Sequence, residues 1–183
     1  ATPGVYLGQL FDQYDSSGGY LRRWWWNGTG WLPPAAPAGT IAYGNRQTDK
    51  TFTGTEVGVL RLDNLVTYAG RRYYVETSNL RLVVTSGETG KANLRASTAG
   101  AATTSSTILT GAEVSANTPF TPAGSPPMKI SWVPGASTTA SVLLTVLRSG
   151  GSNNVTMTGS STQPIEMYVV DAPGTHEIFI GGD

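Results

Sequence analysis

The sequence predicts an all-β protein, an antiparallel β-sandwich preceded by a small tryptophan-rich β-hairpin module. Three observations predict it. Short β-rich segments alternate apolar and polar residues at a period near two. The separators between them carry the residues that turns demand, and no segment sustains helical periodicity beyond two turns. Composition agrees: 13% of the 183 residues are charged, about half the share of an ordinary soluble domain. The 23 glycines and abundant Ser and Thr fill the gap.

Taken in order, the first 34 residues hold four of the five tryptophans, Trp24, Trp25, Trp26 and Trp31. YLRRWWWNGTGW is interrupted by Asn27-Gly28, a pair suited to the φ > 0 positions of tight turns, and reads as a hairpin. The earlier VYLGQLFDQY is ambiguous, since Leu7, Leu10, Phe11 and Tyr14 match helical spacing. Its short length and the following DSSGG favour a strand. PPAAPAG, residues 33–39, reads as an extended connector, because proline fixes φ and restrains its predecessor. The expected division is a hairpin module at 1–34, a Pro/Ala linker at 35–39 and a sandwich domain at 40–183.

From Ile41 onward the strand candidates are EVGVLRL, RRYYVETS, NLRLVVT, KANLRAS, MKISWV, SVLLTVLRS, NVTMTG, PIEMYVV and EIFI. Val142, Leu144 and Val146 share a face. So do Ile165, Met167 and Val169, opposite Glu166, Tyr168 and Val170, and sheets with one buried face are expected. Spacing alone leaves both a jelly-roll and an immunoglobulin-like strand order open.

Several kinds of chemistry have no sequence signal. Without cysteine there is no disulfide framework, thiol nucleophile or thiolate metal site, and the single histidine, His176, belongs to no triad or HExxH pattern. No run of oxygen ligands suggests a calcium loop, and no glycine-rich loop opens a helix that could cradle phosphate. No cofactor or metal is expected. Two carboxylates could converge for glycoside hydrolysis, Glu56 with Glu76 for instance, but the dispersed acids read as solvated strand positions. The chain is therefore read as non-enzymatic.

Twelve Lys+Arg against twelve Asp+Glu give zero formal net charge, so nothing draws in nucleic acid or an anionic membrane. No stretch approaches the ~18 apolar residues needed to cross a bilayer, and ATPGVYLGQLF lacks the basic and apolar regions of an export signal. A weakly charged, near-neutral surface is poorly protected against self-association, which points to an oligomer.

The candidate binding residues are Tyr20, Trp24, Trp25, Trp26, Asn27 and Trp31. Flat aromatic rings dominate protein interfaces and also stack on sugars. On a strand Trp24 and Trp26 share one face and Trp25 takes the other, so one set is expected to pack inward and the other to face a partner, a glycan or the adjoining domain.

YLRRWWWNGTGW resembles the small aromatic hairpins of bacteriophage tail and fibre proteins and, more loosely, of chitin-binding modules. TEVGVLRLDNLVTYAGRRYYVETSNLRL, NLRASTAGAATTSSTIL, SVLLTVLRSGG and IEMYVVDAPG together look like small virion proteins of phages that infect actinobacteria. The resemblance implies a non-enzymatic protein on the virion exterior, either a minor tail or fibre component or a capsid decoration protein. It would be made in the bacterial cytoplasm, bind other virion proteins through its aromatic arm, and pair with copies of itself, a trimer being favoured. The alternative is a carbohydrate-binding module that recognises host surface glycans through exposed tryptophans.

Overall fold

The computed structural model describes residues 9–14, 20–26, 31–32, 39–85, 87–115 and 128–172. Among them there are only strands and their connections. Three lie in the N-terminal part: β1 (Leu10–Tyr14), β2 (Tyr20–Trp26) and β3 (Trp31–Leu32). Then follow β4 (Thr40–Arg46), β5 (Lys50–Phe52), β6 (Val57–Thr67), β7 (Tyr73–Ser78), β8 (Arg81–Val83) and β9 (Thr89–Ser97). The last are β10 (Thr107–Ser115), β11 (Lys129–Trp132), β12 (Thr138–Gly150), β13 (Val155–Thr158) and β14 (Ile165–Asp171). The hairpin expected in the aromatic module is present, with β1 added to make a three-stranded sheet in the order β1-β2-β3. Its turn at Asn27-Gly28, the linker residues 33–38, His176 and the EIFI segment lie outside the described residues.

Eight strands build the sandwich, in two four-stranded antiparallel sheets ordered β10-β9-β12-β6 and β11-β7-β14-β4. Numbered one to eight along the chain, the first (β4) pairs with the last (β14) and the second (β6) with the seventh (β12). The third (β7) pairs with the sixth (β11) and the fourth (β9) with the fifth (β10). A chain folded once into a long hairpin and then rolled up gives this pattern, which is a jelly roll. An immunoglobulin-like order would not place the first strand beside the last.

The interior is lined by the predicted alternation. Val142, Leu144 and Val146 of β12 face Ile165, Met167 and Val169 of β14, all six at 0% exposure. Truncating one such side chain, Leu144→Ala for example, removes apolar contact and leaves a cavity, at a cost of about 2–5 kcal/mol. Three crossovers between the sheets each contribute a short strand, and β5, β13 and β8 pair into a small third sheet. It extends the core through Phe52, Leu82, Val155 and Met157.

The expectation of a single buried face fails on β12 and β14, an inner strand of each sheet. On β12, Ser141, Leu143 and Thr145 are buried as well, and on β14 so are Tyr168 and Val170. Distant chain covers these outer faces. Over β12 lie Glu56, which precedes β6, and the β9–β10 connection, bound through Ser106; over β14 the aromatic ring of Tyr43 packs on Tyr168.

The edge strands β4 and β6 meet along one side of the sandwich, and Gly44 sets how closely. A Cβ there would lie 2.7 Å from Leu62 Cδ2 and 3.3 Å from Leu60 Cδ1. Gly44→Val should therefore overpack this seam and lower stability by about 1–3 kcal/mol. Gly54→Ala, whose added Cβ would meet only Arg148 at an ordinary 3.6 Å, should change it by less than about 0.5 kcal/mol. Chemical-denaturation midpoints of the two variants check this.

Candidate functional site

The aromatic sheet has two distinct faces, fixed by strand register. Phe11 opposes Trp24, and Trp26 opposes Trp31. These four share one face, because Trp24 and Trp26 are two residues apart on β2. The Phe11 and Trp31 rings lie 5.7 Å apart between centroids, and Trp26 and Trp31 lie 5.5 Å apart, both pairs tilted. Leu10, Trp25 and Leu32 stand in one row across the other face. Trp24 Nε1 donates to Gln13 Oε1 at 3.0 Å, which fixes the indole beside the amide.

Trp24 and Trp26 take one face of β2 and Trp25 the other, as strand alternation requires, and neither set is fully buried or fully open. Trp24, Trp25, Trp26 and Trp31 are all half-buried. Tyr20 opens β2, with its backbone opposite Tyr14, and Asn27 lies outside the described residues. The open apolar positions are instead on the outer strand β1, Leu10 at 59% and Phe11 at 42% exposure. These two neighbours face opposite ways. Their spacing with Leu7 and Tyr14 also matches a helix, but the short length and the following DSSGG favour the strand that forms.

Trp24 joins this sheet to the sandwich, meeting Tyr43 edge-on at 5.7 Å, and Tyr43 in turn lies 5.1 Å from Tyr168. Both tyrosine hydroxyls donate to the carboxylate of Glu166 at 2.9 Å, as does Ser78 Oγ. Asn45 Nδ2 donates to the Tyr43 hydroxyl. Burial, followed by the bond to Glu166, pushes the Tyr168 phenol well above its ordinary value. Two hollows flank the junction. One, about 620 Å³, runs between Trp31, Tyr43 and the Arg61–Asp63 stretch of β6; the other, about 350 Å³, is lined by Phe11, Gln13, Trp24 and Trp31.

Elsewhere Glu56 and Glu88 are engaged as struts, in contrast to their reading as solvated positions, whereas Asp63 and Glu113 are exposed. Glu56 takes two hydrogen bonds from Arg95, at 2.8 and 2.7 Å, one from Asn93 at 3.1 Å and one from the Thr145 hydroxyl. Glu88 is 2% exposed, and its Oε1 accepts from the backbone N–H groups of Ser152 and Asn153 and from Asn153 Nδ2. Those bonds, that from the Asn153 backbone foremost, hold it below the ordinary carboxylate range. Gly151 makes this possible, because at φ +84 any Cβ would overlap the Glu88 carboxylate. Glu76 pairs with Lys129 at 2.8 Å on the other sheet from the Glu56 cluster, so Glu56 and Glu76 do not form a catalytic pair. Among the described residues no three His, Cys, Asp or Glu cluster as metal ligands, and no helix is long and apolar enough to cross a membrane.

The Glu56 cluster gives the fold an acid limit. Burial raises the Glu56 pKa, but the hydrogen bonds of Arg95, Thr145 and Asn93 and the Arg95 charge outweigh it and hold the group at about 2. A carboxyl depressed on folding stabilises above its unfolded pKa, here near 4.5, and that contribution is lost as pH falls toward 2. Thermal melting followed from neutral pH to about 2 should show a decline beginning below about pH 4.5, and Glu56→Gln should flatten it. Arg95→Met should cost about 3 kcal/mol at neutral pH by stranding the carboxylate.

No protein-family model matches the sequence, and no curated protein matches it. Among solved structures, Eiger TNF from S. frugiperda is similar with a TM-score of 0.36 and 13% identity, over 70% of this chain and 96% of that one. The infectious bursal disease virus VP2 subviral particle is similar with a TM-score of 0.35 and 11% identity, over 93% of this chain and 45% of that one. At these values neither likeness bears on function.

Proposed function

We propose that this chain is a non-enzymatic structural protein on the exterior of a bacteriophage virion, a minor tail or fibre component or a capsid decoration protein, attached through its aromatic N-terminal sheet. The observation that carries the reading is the outer strand β1. Leu10, 59% exposed, stands in a row with half-buried Trp25 on one face of a small sheet beside a jelly roll. An exposed leucine beside a partly covered indole makes a compact apolar anchor of the kind that interfaces bury at their centre. The jelly roll is among the folds that build capsids, a support by analogy only.

Other features fit the same role. The zero net charge removes the repulsion that keeps copies apart. Val66, Tyr68 and Val133, each at least half exposed, stand near the joined loops 68–72 and 133–137. That end of the sandwich is the surface we assign to contact with further copies, a trimer being the favoured assembly.

The test is made in purified particles by quantitative mass spectrometry against the major capsid protein. The wild-type chain should be present, at low copy for a tail component and at high copy for a capsid lattice. Its absence from particles overturns the virion reading. Leu10→Asp, which changes an exposed side chain and leaves the core intact, should lower incorporation at least about tenfold, the effect of burying a charge at an apolar contact. Wild-type incorporation of that variant refutes anchoring through this face.

A further inference from the structure

We infer that the hollow bounded by Phe11, Gln13, Trp24 and Trp31 is a carbohydrate subsite that takes one end of a neutral pyranose chain. It lies on the opposite face of the aromatic sheet from Leu10 and does not rest on the virion reading. At about 350 Å³ it falls within the size of small-ligand clefts, roughly 300–1,000 Å³. Three of its four walls are aromatic rings, and the fourth is an amide.

Exposure separates this hollow from ordinary core packing, since Tyr73 and Trp132 make a similar tilted pair inside the core. In a core the rings interdigitate until no space is left. Here Phe11 is 42% exposed, so the hollow beside its tilted contact with Trp31 opens to solvent. Aromatic surface lining an open hollow is unfavourable in water unless something apolar covers it.

The amide decides what kind of molecule covers it. Gln13 holds the Trp24 indole N–H with its oxygen, which turns its N–H₂ donors away from that bond. A pyranose matches both features, since its axial C–H face stacks against an aromatic ring while its equatorial hydroxyls accept and donate at the rim. A purely apolar partner leaves the amide unsatisfied. None of the four lining side chains carries a charge, so the lining offers no cation to a phosphate, sulfate or carboxylate. Trp24 is itself braced edge-on by Tyr43, whose hydroxyl is bonded to Asn45 and Glu166.

Tryptophan emission titrated with chitohexaose, cellohexaose and maltohexaose, and with dextran sulfate as the anionic control, tests this on the full chain. Saturable change is expected with at least one neutral oligosaccharide and none with dextran sulfate. Phe11→Ala alters an exposed ring, so its melting temperature should match wild type while its affinity falls about tenfold. Leu10→Asp, on the other face, should bind sugar as wild type does, which keeps this result separate from any failure of particle anchoring. No saturable change with all three neutral oligosaccharides overturns the subsite, as does undiminished affinity in Phe11→Ala; saturation by dextran sulfate alone overturns its neutrality.

Discussion

The pairing of β4 with β14 is the contact on which the other features of the molecule depend. It brings Thr40 beside Val170, so it closes a loop that takes in nearly all of the sandwich. Closing such a loop is entropically unfavourable and slow, and is offset only when the strands it brings together bury apolar surface at once. They do: Ile165, Met167 and Val169 enter the core as the strands pair, and Gly44 allows β4 to lie on Leu60 and Leu62 of β6. The same pairing sets Tyr43 beside Tyr168. Without it Trp24 would have no ring to meet, and the aromatic sheet would lose this docking contact.

Because the roll brings distant segments together, its acidic residues are spent on joining them. Glu166 gathers hydroxyls from β4, β7 and β14; Glu56 ties the chain before β6 to β9 and β12; Glu88 ties the start of β9 to the loop after β12. For Glu56 and Glu88 the donors hold the carboxyl below its ordinary range, so each is a poor proton carrier near neutral pH. Such groups hold geometry. The open apolar and aromatic surface of the N-terminal sheet lies at Leu10 and Phe11.

Much of this was legible in the sequence and some was not, for reasons that can be assigned. Alternation along Val142–Val146 and Ile165–Val169 marks the core face, because period two is a local property of strands. The covering of the other face is not local. Leu143 and Thr145 are buried by chain that carries Glu56 and Ser106, and Glu56 reads as solvated because Arg95 and Thr145 lie 39 and 89 residues away. Strand order is likewise long-range, so jelly roll and immunoglobulin-like arrangements share one local signature until β4 is seen beside β14. In the aromatic module the tryptophans drew attention as the conspicuous residues, yet β1, which carries Leu10 and Phe11, decides which surfaces stay open.

That strand also explains how one small sheet can serve two contacts. Period two sends Leu10 and Phe11 to opposite faces although they adjoin in sequence. Leu10 shares its face with Trp25 and with Leu32, which is buried, so that face grades from open at β1 to closed at β3 and suits a contact made at the rim. Phe11 shares its face with Trp24, Trp26 and Trp31, whose tilted rings leave a hollow with an amide in its wall. An apolar row and an aromatic hollow differ in what they can hold, since the first excludes water by contact and the second needs a ligand that both stacks and bonds. The two faces are separate, so a protein held to an assembly by Leu10 would keep the partly exposed Phe11 on the opposite side.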